Sequence, residues 1–211
     1  MNSLYEYDIT AAQGTLRVAG VDEVGRGPLA GPVVAAAVIL DLSSPIDGIN
    51  DSKKLKPKRR DELYEKIIAS GCVYGVGIVS PEEIDKINIL QATFRAMKRA
   101  LEKLEVFFDL LLVDGNQLIA GVDKNLQKTV VGGDAASANI AAASIVAKVT
   151  RDRIMEELHE QYPVYDFGGN KGYGTERHRT AITEHGLSPV HRKTFCGNGA
   201  IQMDLFHRGV K

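Results

Sequence analysis

The sequence predicts an α/β fold in which a mixed sheet is covered by helices on its faces. Strand patterns come first along the chain, and strand and helix patterns alternate afterwards, which is the order expected of such a sheet. With 211 residues, 44% of them hydrophobic, the chain can bury the core of one domain with a small appendage. These patterns fade into a polar, basic tail after Gly186. We therefore predict a main domain over residues 1–186 and a C-terminal extension over residues 187–211.

Several stretches of the chain carry strand patterns. Residues 16–23 and 33–40 are joined by a link rich in glycine and proline. Because this link is too short for a crossover helix, we predict that they are antiparallel neighbours. Residues 72–79 are rich in valine and glycine, and residues 109–114 form an apolar run typical of a strand buried on both faces. Residues 129–131 would add a further strand.

Helix patterns separate the later strands. Residues 57–70 begin with a proline and end before a glycine, and residues 80–83 form a capping box with proline at the first helical position. Apolar residues then follow a helical spacing that is typical of core packing: Leu90, Phe94, Met97, Leu101 and Leu104. Residues 135–161 are predicted to form a long helix. Small side chains fill its first half, so this helix can lie unusually close to a sheet.

The charge balance and the cysteines exclude several classes of protein. Lysine and arginine total 26 against 27 aspartate and glutamate residues, so a polyanion would have to be held by a local patch. Cys72 and Cys196 are far apart and lack metal-ligand spacing, which gives neither a disulfide framework nor a zinc site. The longest apolar run, residues 32–40, is about half a membrane span. We expect a soluble, cytoplasmic protein.

Acidic residues stand where the predicted apolar strands end. Asp22 and Glu23 close the first strand, Asp114 closes the fourth, and Asp134 precedes the small-residue helix. Neighbouring side chains on a strand point to opposite faces. Asp22 and Glu23 can therefore serve one site only if the backbone bends there, and the glycines that follow make a bend plausible.

Each acid also has a purely structural interpretation. A carboxylate at a strand end is commonly the solvated start of a loop, and Asp134 is placed to cap a helix whose first residue is Ala135. The combination favours a cation site, because converging carboxylates repel one another unless cations join them. Carboxylate ligands favour magnesium or manganese over zinc. A pair of such ions would support hydrolysis of a phosphate ester without a nucleophilic side chain.

Three further segments could bind a ligand. Residues 25–30 fit the loose dinucleotide pattern Gly-x-Gly-x-x-Ala, but no helix follows to hold a pyrophosphate; their amides could instead approach a phosphate or a sugar hydroxyl. Six of the eight residues from Lys53 to Arg60 are basic. They form either a solvated helix start or a clamp for a nucleic-acid backbone. Tyr173 lies either in an ordinary turn or in a loop that exposes its ring to a nucleotide or a ribose hydroxyl.

Seven motifs together resemble those of ribonuclease HII, in order and nearly from end to end. They are Asp22-Glu-Val-Gly-Arg-Gly27, Asp51-Ser-Lys-Lys-Leu55, Val113-Asp-Gly115, Gly133-Asp134, Ile140-Ala-Ala-Ala-Ser-Ile-Val-Ala-Lys-Val-Thr-Arg-Asp152, Lys171-Gly-Tyr-Gly-Thr175 and His191-Arg192. One such motif alone would be weak, whereas seven in register are specific. The resemblance implies a ribonuclease H-like catalytic domain with a mixed five-stranded sheet. It also implies an endoribonuclease that cuts RNA in RNA/DNA hybrids and single ribonucleotides embedded in duplex DNA, leaving 3′-hydroxyl and 5′-phosphate ends.

The resemblance also assigns roles to residues. The carboxylates that would bind two divalent ions, Mg²⁺ or Mn²⁺, are Asp22, Glu23, Asp114 and Asp134. The residues that would bind substrate, by recognising the ribose 2′-hydroxyl at the junction to deoxyribose, are Gly25, Arg26, Gly27 and Tyr173, with Lys53 in the basic clamp. One position departs from the family, because Gly132 stands where lysine is common before the Gly-Asp pair.

The tail contains a further motif. Residues 202–206 resemble a pentapeptide with which bacterial replication proteins dock on the DNA sliding clamp, through Gln202, Leu205 and Phe206. The alternative is that Leu205 and Phe206 pack on the core.

Two other functions remain open from the sequence. The chain could be another ribonuclease H-like nuclease, such as a junction resolvase, or a noncatalytic module that binds duplexes. Magnesium-dependent cleavage of a DNA duplex with one embedded ribonucleotide separates these alternatives from a ribonuclease HII.

Overall fold

A mixed five-stranded sheet forms the centre of the molecule, with the strand order β3-β2-β1-β4-β5. The computed structural model describes residues 3–12, 14, 17–50, 52 and 55–197. The strands are β1 (Val18–Val24), β2 (Val33–Ile39), β3 (Val73–Val79), β4 (Leu110–Asp114) and β5 (Gln127–Val130). The β1–β2 and β2–β3 pairs are antiparallel, whereas the β1–β4 and β4–β5 pairs are parallel. This confirms the mixed sheet and the antiparallel first pair, and the predicted strands end within two residues of the observed ones.

Helices cover both faces of this sheet. They are α1 (Ser3–Ala12), α2 (Pro57–Ala69), α3 (Pro81–Ile87), α4 (Ile89–Glu102), α5 (Ala138–Gln161), α6 (Phe167–Asn170), α7 (Glu176–His185) and α8 (Lys193–Cys196). Alternate residues of β2 pack against α2 and α5 on one face and against α4 on the other. Within the described ranges, none of the helices combines the length and the apolar character needed to cross a bilayer.

Helix α5 begins later than the sequence predicts. Residues 133–135 form a 3-10 turn, and the helix starts at Ala138, where the Ser137 hydroxyl accepts a hydrogen bond from the Ile140 amide at 3.1 Å. The interpretation of Asp134 as the helix cap is therefore wrong. The predicted close approach to the sheet is confirmed, because a Cβ atom at Gly20 of β1 would stand 2.3 Å from the backbone of Asn139.

Helices α3 and α4 are separate. Ser80 caps α3 as predicted, accepting from the Glu83 amide at 3.2 Å, but Asn88 takes a φ of +65° and caps α4 through its side chain. Small residues of α4 face the sheet, whereas Leu90 is 37% exposed. The reason lies in β3, where a Cβ atom at Gly77 would stand 1.9 Å from the Ala96 carbonyl oxygen.

Helix α1 has no counterpart among the sequence predictions. A buried carboxylate ties it to α5, beside Leu4 and Tyr5, which lie in the same apolar cluster as residues of α5. One oxygen of Asp8 accepts hydrogen bonds from the backbone and side-chain nitrogens of Asn139, each at 2.9 Å. Asn139 in turn accepts from the Leu40 amide at 2.8 Å, so one asparagine links α1, α5 and the end of β2.

Candidate active site

Two of the predicted metal ligands end neighbouring parallel strands. The register pairs Val21 of β1 with Val113 of β4, so Asp22 and Asp114 follow at the same edge of the sheet. Asp22 is only 5% exposed. Burial raises the pKa of its carboxyl well above the usual range, and the negative charges of Glu23 and Asp114 raise it further.

Asp22 and Glu23 approach this edge from different faces. Strand β1 stays paired with β2 through Val24, so the backbone does not bend between the two acids, contrary to the expectation. Asp22 accepts a hydrogen bond from Ser144 of α5, whereas Glu23 lines a cleft together with residues of α4. The negative charge of Glu23 nevertheless raises the pKa of Asp22, so the two carboxyl groups are close enough to repel each other.

The negative charge of Glu23 is paired with the positive charge of Arg26. Burial raises the pKa of the Glu23 carboxyl, and the Arg26 guanidinium, whose Nη1 donates to Oε1 at 3.2 Å, opposes that rise. The negative charge of Asp114 raises the pKa again. Glu23 and Asp114 both line the cleft beside α4, with Thr93 and Met97 on its helical side.

Asp114 is held by the turn that contains Asp134. The Gly133 amide donates to Asp114 Oδ1 at 2.7 Å. A Cβ atom at Gly133 would stand 3.1 Å from this oxygen and 2.5 Å from Ile140 Cδ1, so a side chain here would require Ile140 to shift. Asp134 follows directly in the chain and is 4% exposed, which places its buried carboxyl beside the backbone that binds Asp114.

Gly132 explains why this turn tolerates the departure from the family. Its φ of +67° and ψ of +37° are in the left-handed region, and a Cβ atom there would meet nothing within 4 Å. A lysine at this position would therefore have room, but its backbone would be strained by about 1 kcal/mol.

The donor set suits a hard divalent cation. The negative charges of Glu23 and Asp114 raise the pKa of Asp22, and that of Asp114 raises the pKa of Glu23. A bound cation would relieve this repulsion. Among the residues that the structure describes, no three or more Asp, Glu, His or Cys side chains are grouped as the ligands of one ion. Asp22 Oδ1 and Asp114 Oδ1 each accept from a backbone amide at 2.7 Å. The convergence of all four predicted carboxylates on shared ions stays a prediction.

The Gly25–Gly27 loop and Tyr173 are neighbours in space. Gly25 turns the chain after β1 with a φ of +92°. A Cβ atom added at Gly27 would lie 3.7 Å from Tyr173 Cε1. Tyr173 itself is 47% exposed. The ring of Tyr173 and the backbone of Gly27 therefore border the same solvent-accessible space.

Sequence reasoning missed the support for this loop, which is a buried arginine. Arg192 donates to the carbonyl oxygens of Gly25 at 2.6 Å, Arg26 at 2.9 Å and Gly31 at 3.0 Å. Burial lowers the pKa of its guanidinium to about 9, and the charge of Arg151 contributes. Its presence in the His191-Arg192 motif was the only signal, because nothing in the local sequence shows that its partners are carbonyl groups far away in the chain.

A second buried arginine, Arg151, also binds backbone carbonyl groups near the Gly25–Gly27 loop and Tyr173. From within α5 it donates to the carbonyl oxygens of Pro32 at 3.0 Å, Lys171 at 3.0 Å and Ala30 at 3.3 Å. It thus joins the segment after the Gly25–Gly27 loop to the segment before Tyr173. The contact is rigid because every donor group of a buried guanidinium needs an acceptor.

The basic segment is only partly a surface patch. Arg60 is buried and donates to the Ser52 carbonyl oxygen at 3.0 Å, while the exposed Arg59 pairs with Glu62 at 3.1 Å. Lys53 lies outside the described residues, as does the whole clamp-like segment with Gln202, Leu205 and Phe206.

Comparison with known proteins shows what this chain is similar to. The family model for Ribonuclease HII matches residues 19–198. A ribonuclease HII of Endomicrobium trichonymphae is 56% identical over 183 residues, which cover 87% of each chain. The ribonuclease H2 of Pyrococcus horikoshii has a TM-score of 0.71 at 31% identity, covering 92% of this chain and 100% of that one. A ribonuclease HII of Archaeoglobus fulgidus, solved in complex with PCNA, has a TM-score of 0.69 at 31% identity and covers 84% of this chain and 94% of that one.

The match covers all of the sheet except Val18, together with the acids at its edge, Arg151 and Arg192. The fold is therefore ribonuclease H-like, as the motifs implied. We conclude that the chain belongs to the ribonuclease HII family and is a metal-dependent endoribonuclease that acts on RNA/DNA hybrids.

Proposed function

We propose that this enzyme also cuts at single ribonucleotides embedded in duplex DNA and so takes part in removing them. The observation that carries the proposal is that the Gly25–Gly27 loop and Tyr173 are neighbours, since a Cβ atom added at Gly27 would lie 3.7 Å from Tyr173 Cε1. Only ribose has a 2′-hydroxyl, so backbone groups and a phenol that meet it can select one ribonucleotide without reading its base.

The residues that would hold the divalent ions, magnesium or manganese, are Asp22, Glu23, Asp114 and Asp134. When bound, a pair of such ions supplies an activated water and stabilises the leaving oxygen of the phosphodiester. The protein fixes the carboxylates through the Glu23 and Gly133 amides, which donate to Asp22 and Asp114. Breaking the bond between phosphorus and the 3′ oxygen leaves a 3′-hydroxyl and a 5′-phosphate.

The first experiment tests the catalytic carboxylates. The Asp22→Asn variant should lose turnover on a duplex with one ribonucleotide while still binding that duplex, because the lost charge acts at the reacting phosphate. Cleavage is followed on gels with magnesium, with manganese and with a chelator, and the product ends are identified with a phosphatase and a 3′-end ligation. Asp47→Asn, in the exposed loop after β2, is the matched control and should cut normally.

Retained turnover in Asp22→Asn would refute the assignment of the carboxylates. Failure of the parent enzyme to cut the single-ribonucleotide duplex, with normal cleavage of a hybrid, would refute the wider substrate range alone.

The second experiment tests the sugar sensor. Tyr173→Ala should reduce the preference for a ribonucleotide-containing duplex over an all-DNA duplex about tenfold, because the ring meets the sugar and not the general backbone. Binding of both duplexes is measured in parallel by fluorescence anisotropy. An equal loss for both would eliminate Tyr173 as a sensor.

We also propose that residues 202–206 dock on the DNA sliding clamp. The support is the motif itself and the related enzyme of Archaeoglobus fulgidus, which was solved with PCNA. Replacing Leu205 and Phe206 with alanine should abolish retention by an immobilised bacterial clamp while cleavage of free hybrid is unchanged. Undiminished retention would exclude the motif.

A further inference from the structure

A pair of buried histidines lies behind Tyr173. His178 of α7 and His191 pack with Tyr165 and Phe167, with ring centroids 4.8 to 6.3 Å apart. His178 Nδ1 lies 2.8 Å from the Tyr173 carbonyl oxygen, and its Nε2 lies 3.0 Å from His191 Nε2. The two rings thus connect the backbone of Tyr173 to the segment after Gly186.

The partners at both ends of this pair determine where its protons lie. A carbonyl oxygen only accepts, so His178 Nδ1 must carry a hydrogen and donate it to Tyr173. At the other end the Ser188 amide donates to His191 Nδ1 at 2.9 Å, with the Ser188 hydroxyl also 2.8 Å away. His191 therefore carries its hydrogen on Nε2 and donates it to the bare Nε2 of His178.

This arrangement requires both rings to be neutral. A second proton on His178 would place two donors face to face between the Nε2 atoms, and a second proton on His191 would set its Nδ1 against the Ser188 amide. Burial lowers the pKa of His178, and burial together with the neighbouring His178 lowers the pKa of His191 to about 4. The pair is therefore neutral at physiological pH and its hydrogen bonds run in one direction, from Ser188 to Tyr173.

The two ends of the hydrogen-bonded chain lie at the two halves of the proposed sensor. Tyr173 is at one end, where its carbonyl oxygen also accepts from the Thr175 amide at 2.8 Å. The other end is the Ser188–His191 turn, closed by the His191 amide donating to the Ser188 carbonyl oxygen at 3.1 Å. Arg192 follows at once and holds Gly25 and its neighbours.

We propose that His178 and His191 are positioning residues that fix the backbone of Tyr173 relative to the Gly25–Gly27 loop and thereby set the selectivity for a ribose. The inference rests on the sensing role proposed for Tyr173, and it adds what holds the ring in place. Recognition of one hydroxyl depends on placement to within a fraction of an ångström. Loss of the hydrogen bond to the Tyr173 carbonyl should therefore reduce selectivity more than turnover.

The test compares two substitutions of one histidine. His178→Asn can keep a donor near the position of Nδ1, whereas His178→Gln can keep a polar group only near the position of Nε2. The measured quantity is the ratio of the dissociation constant for an all-DNA duplex to that for a duplex with one ribonucleotide, with kcat on the latter measured beside it. We expect His178→Gln to lower this ratio about tenfold and His178→Asn to keep it within about threefold of the parent.

A matched control comes from the same aromatic cluster. Tyr165→Phe removes a hydrogen bond of similar kind, from the Tyr165 hydroxyl to the Gly186 carbonyl oxygen at 2.9 Å, but does not touch Tyr173. It should leave the ratio unchanged. An equal fall of the ratio in Tyr165→Phe and His178→Gln would show that only packing matters and would overturn the proposal.

Two further measurements separate the possible failures. If Tyr173→Ala leaves the ratio unchanged, the proposed sensor fails; if it lowers the ratio and His178→Gln does not, only the positioning role fails. In a Tyr173→Ala background, His178→Gln should have no further effect on the ratio. Nitrogen-15 spectra of the parent protein should show neutral rings with hydrogens on His178 Nδ1 and His191 Nε2, and the opposite tautomers would overturn the proposal even if the variants do not fold.

Discussion

At the scale of single residues, the two glycines of the loop after β1 are needed for different reasons. Gly25 has a φ of +92°, and a Cβ atom on it would stand 2.2 Å from Arg151 Nε and 2.8 Å from the Pro32 carbonyl oxygen. Both the backbone conformation and the packing thus exclude a side chain. At Gly27 the nearest atom to a Cβ would be 3.7 Å away, on Tyr173, so a methyl group there would meet only ordinary contact.

Gly25→Ala is therefore predicted to destabilise the protein by roughly 2–4 kcal/mol, from strain and from displacement of a buried arginine. Gly27→Ala should melt within about 2 °C of the parent, because the methyl group meets no close atom. Thermal unfolding followed by circular dichroism compares the two. Equal melting temperatures for both variants would contradict this account of the loop.

At the scale of elements, glycines in β3 determine where the cleft wall stands. A Cβ atom at Gly77 would be 1.9 Å from the Ala96 carbonyl oxygen, and one at Gly75 would be 2.2 Å from that of Ala100. Helix α4 therefore lies directly on the backbone of β3. Because Thr93 and Met97 of α4 face Glu23 and Asp114 across the cleft, the seating of this helix sets the width of the cleft.

Gly77→Ala should push α4 away from the sheet and lower the free energy of unfolding by roughly 2–4 kcal/mol. Gly71→Ala provides the comparison, since its φ of +76° adds strain but a Cβ atom there meets nothing within 4 Å. That variant should lose only about 1 kcal/mol. Urea unfolding measures both values, and a loss in Gly77→Ala no greater than in Gly71→Ala would refute the close seating.

Local sequence predicts elements well where burial and turns dominate. The strand patterns predicted all five strands, and the small side chains in residues 138–147 predicted the close approach of α5 to the sheet. The start of α5 was wrong because Gly132 and Gly133 form a tight turn whose amide binds Asp114. Helix α1 was missed because a carboxylate, Asp8, stands among its few buried apolar residues and interrupts the helical pattern.

Some residues of the candidate site could likewise be predicted from the local sequence and others could not. Its acids could be predicted because each follows an apolar strand or a glycine pair. The roles of Arg151 and Arg192 could not, because they depend on carbonyl groups contributed by distant segments, and the role of the two histidines could not, because their pairing is created by the fold. Periodicity contains no information about such contacts.

At the scale of the whole molecule, the buried histidines make stability depend on pH. The pKa of His191 is lowered from 6.5 to about 4 in the folded protein, mainly by burial and also by His178 across the pair. As the pH falls, the unfolded chain therefore binds protons before the folded one does. The contribution of His191 is complete above about pH 6.5 and is lost as the pH falls towards 4.

Because one pKa unit corresponds to about 1.4 kcal/mol, His191 alone should remove roughly 3 kcal/mol of stability across this range. The melting temperature should fall on acidification from pH 6.5 to 4. The slope should be shallower in His191→Gln and unchanged in a variant of the exposed His185. A slope that is the same in His191→Gln as in the parent would contradict a neutral, buried ring.

The hydrogen bond from Arg192 to the Gly25 carbonyl oxygen can form only long after the loop itself has been synthesised. The arginine and the carbonyl group it binds are 167 positions apart in the chain, so a ribosome must add all the residues between them before the two can meet. A nascent chain that has already paired β1 with β2 still lacks the anchor for its sugar-reading loop. A product truncated near Gly186 would have the acidic edge of the sheet but would lack the restraint that Arg192 places on the segment proposed to tell RNA from DNA.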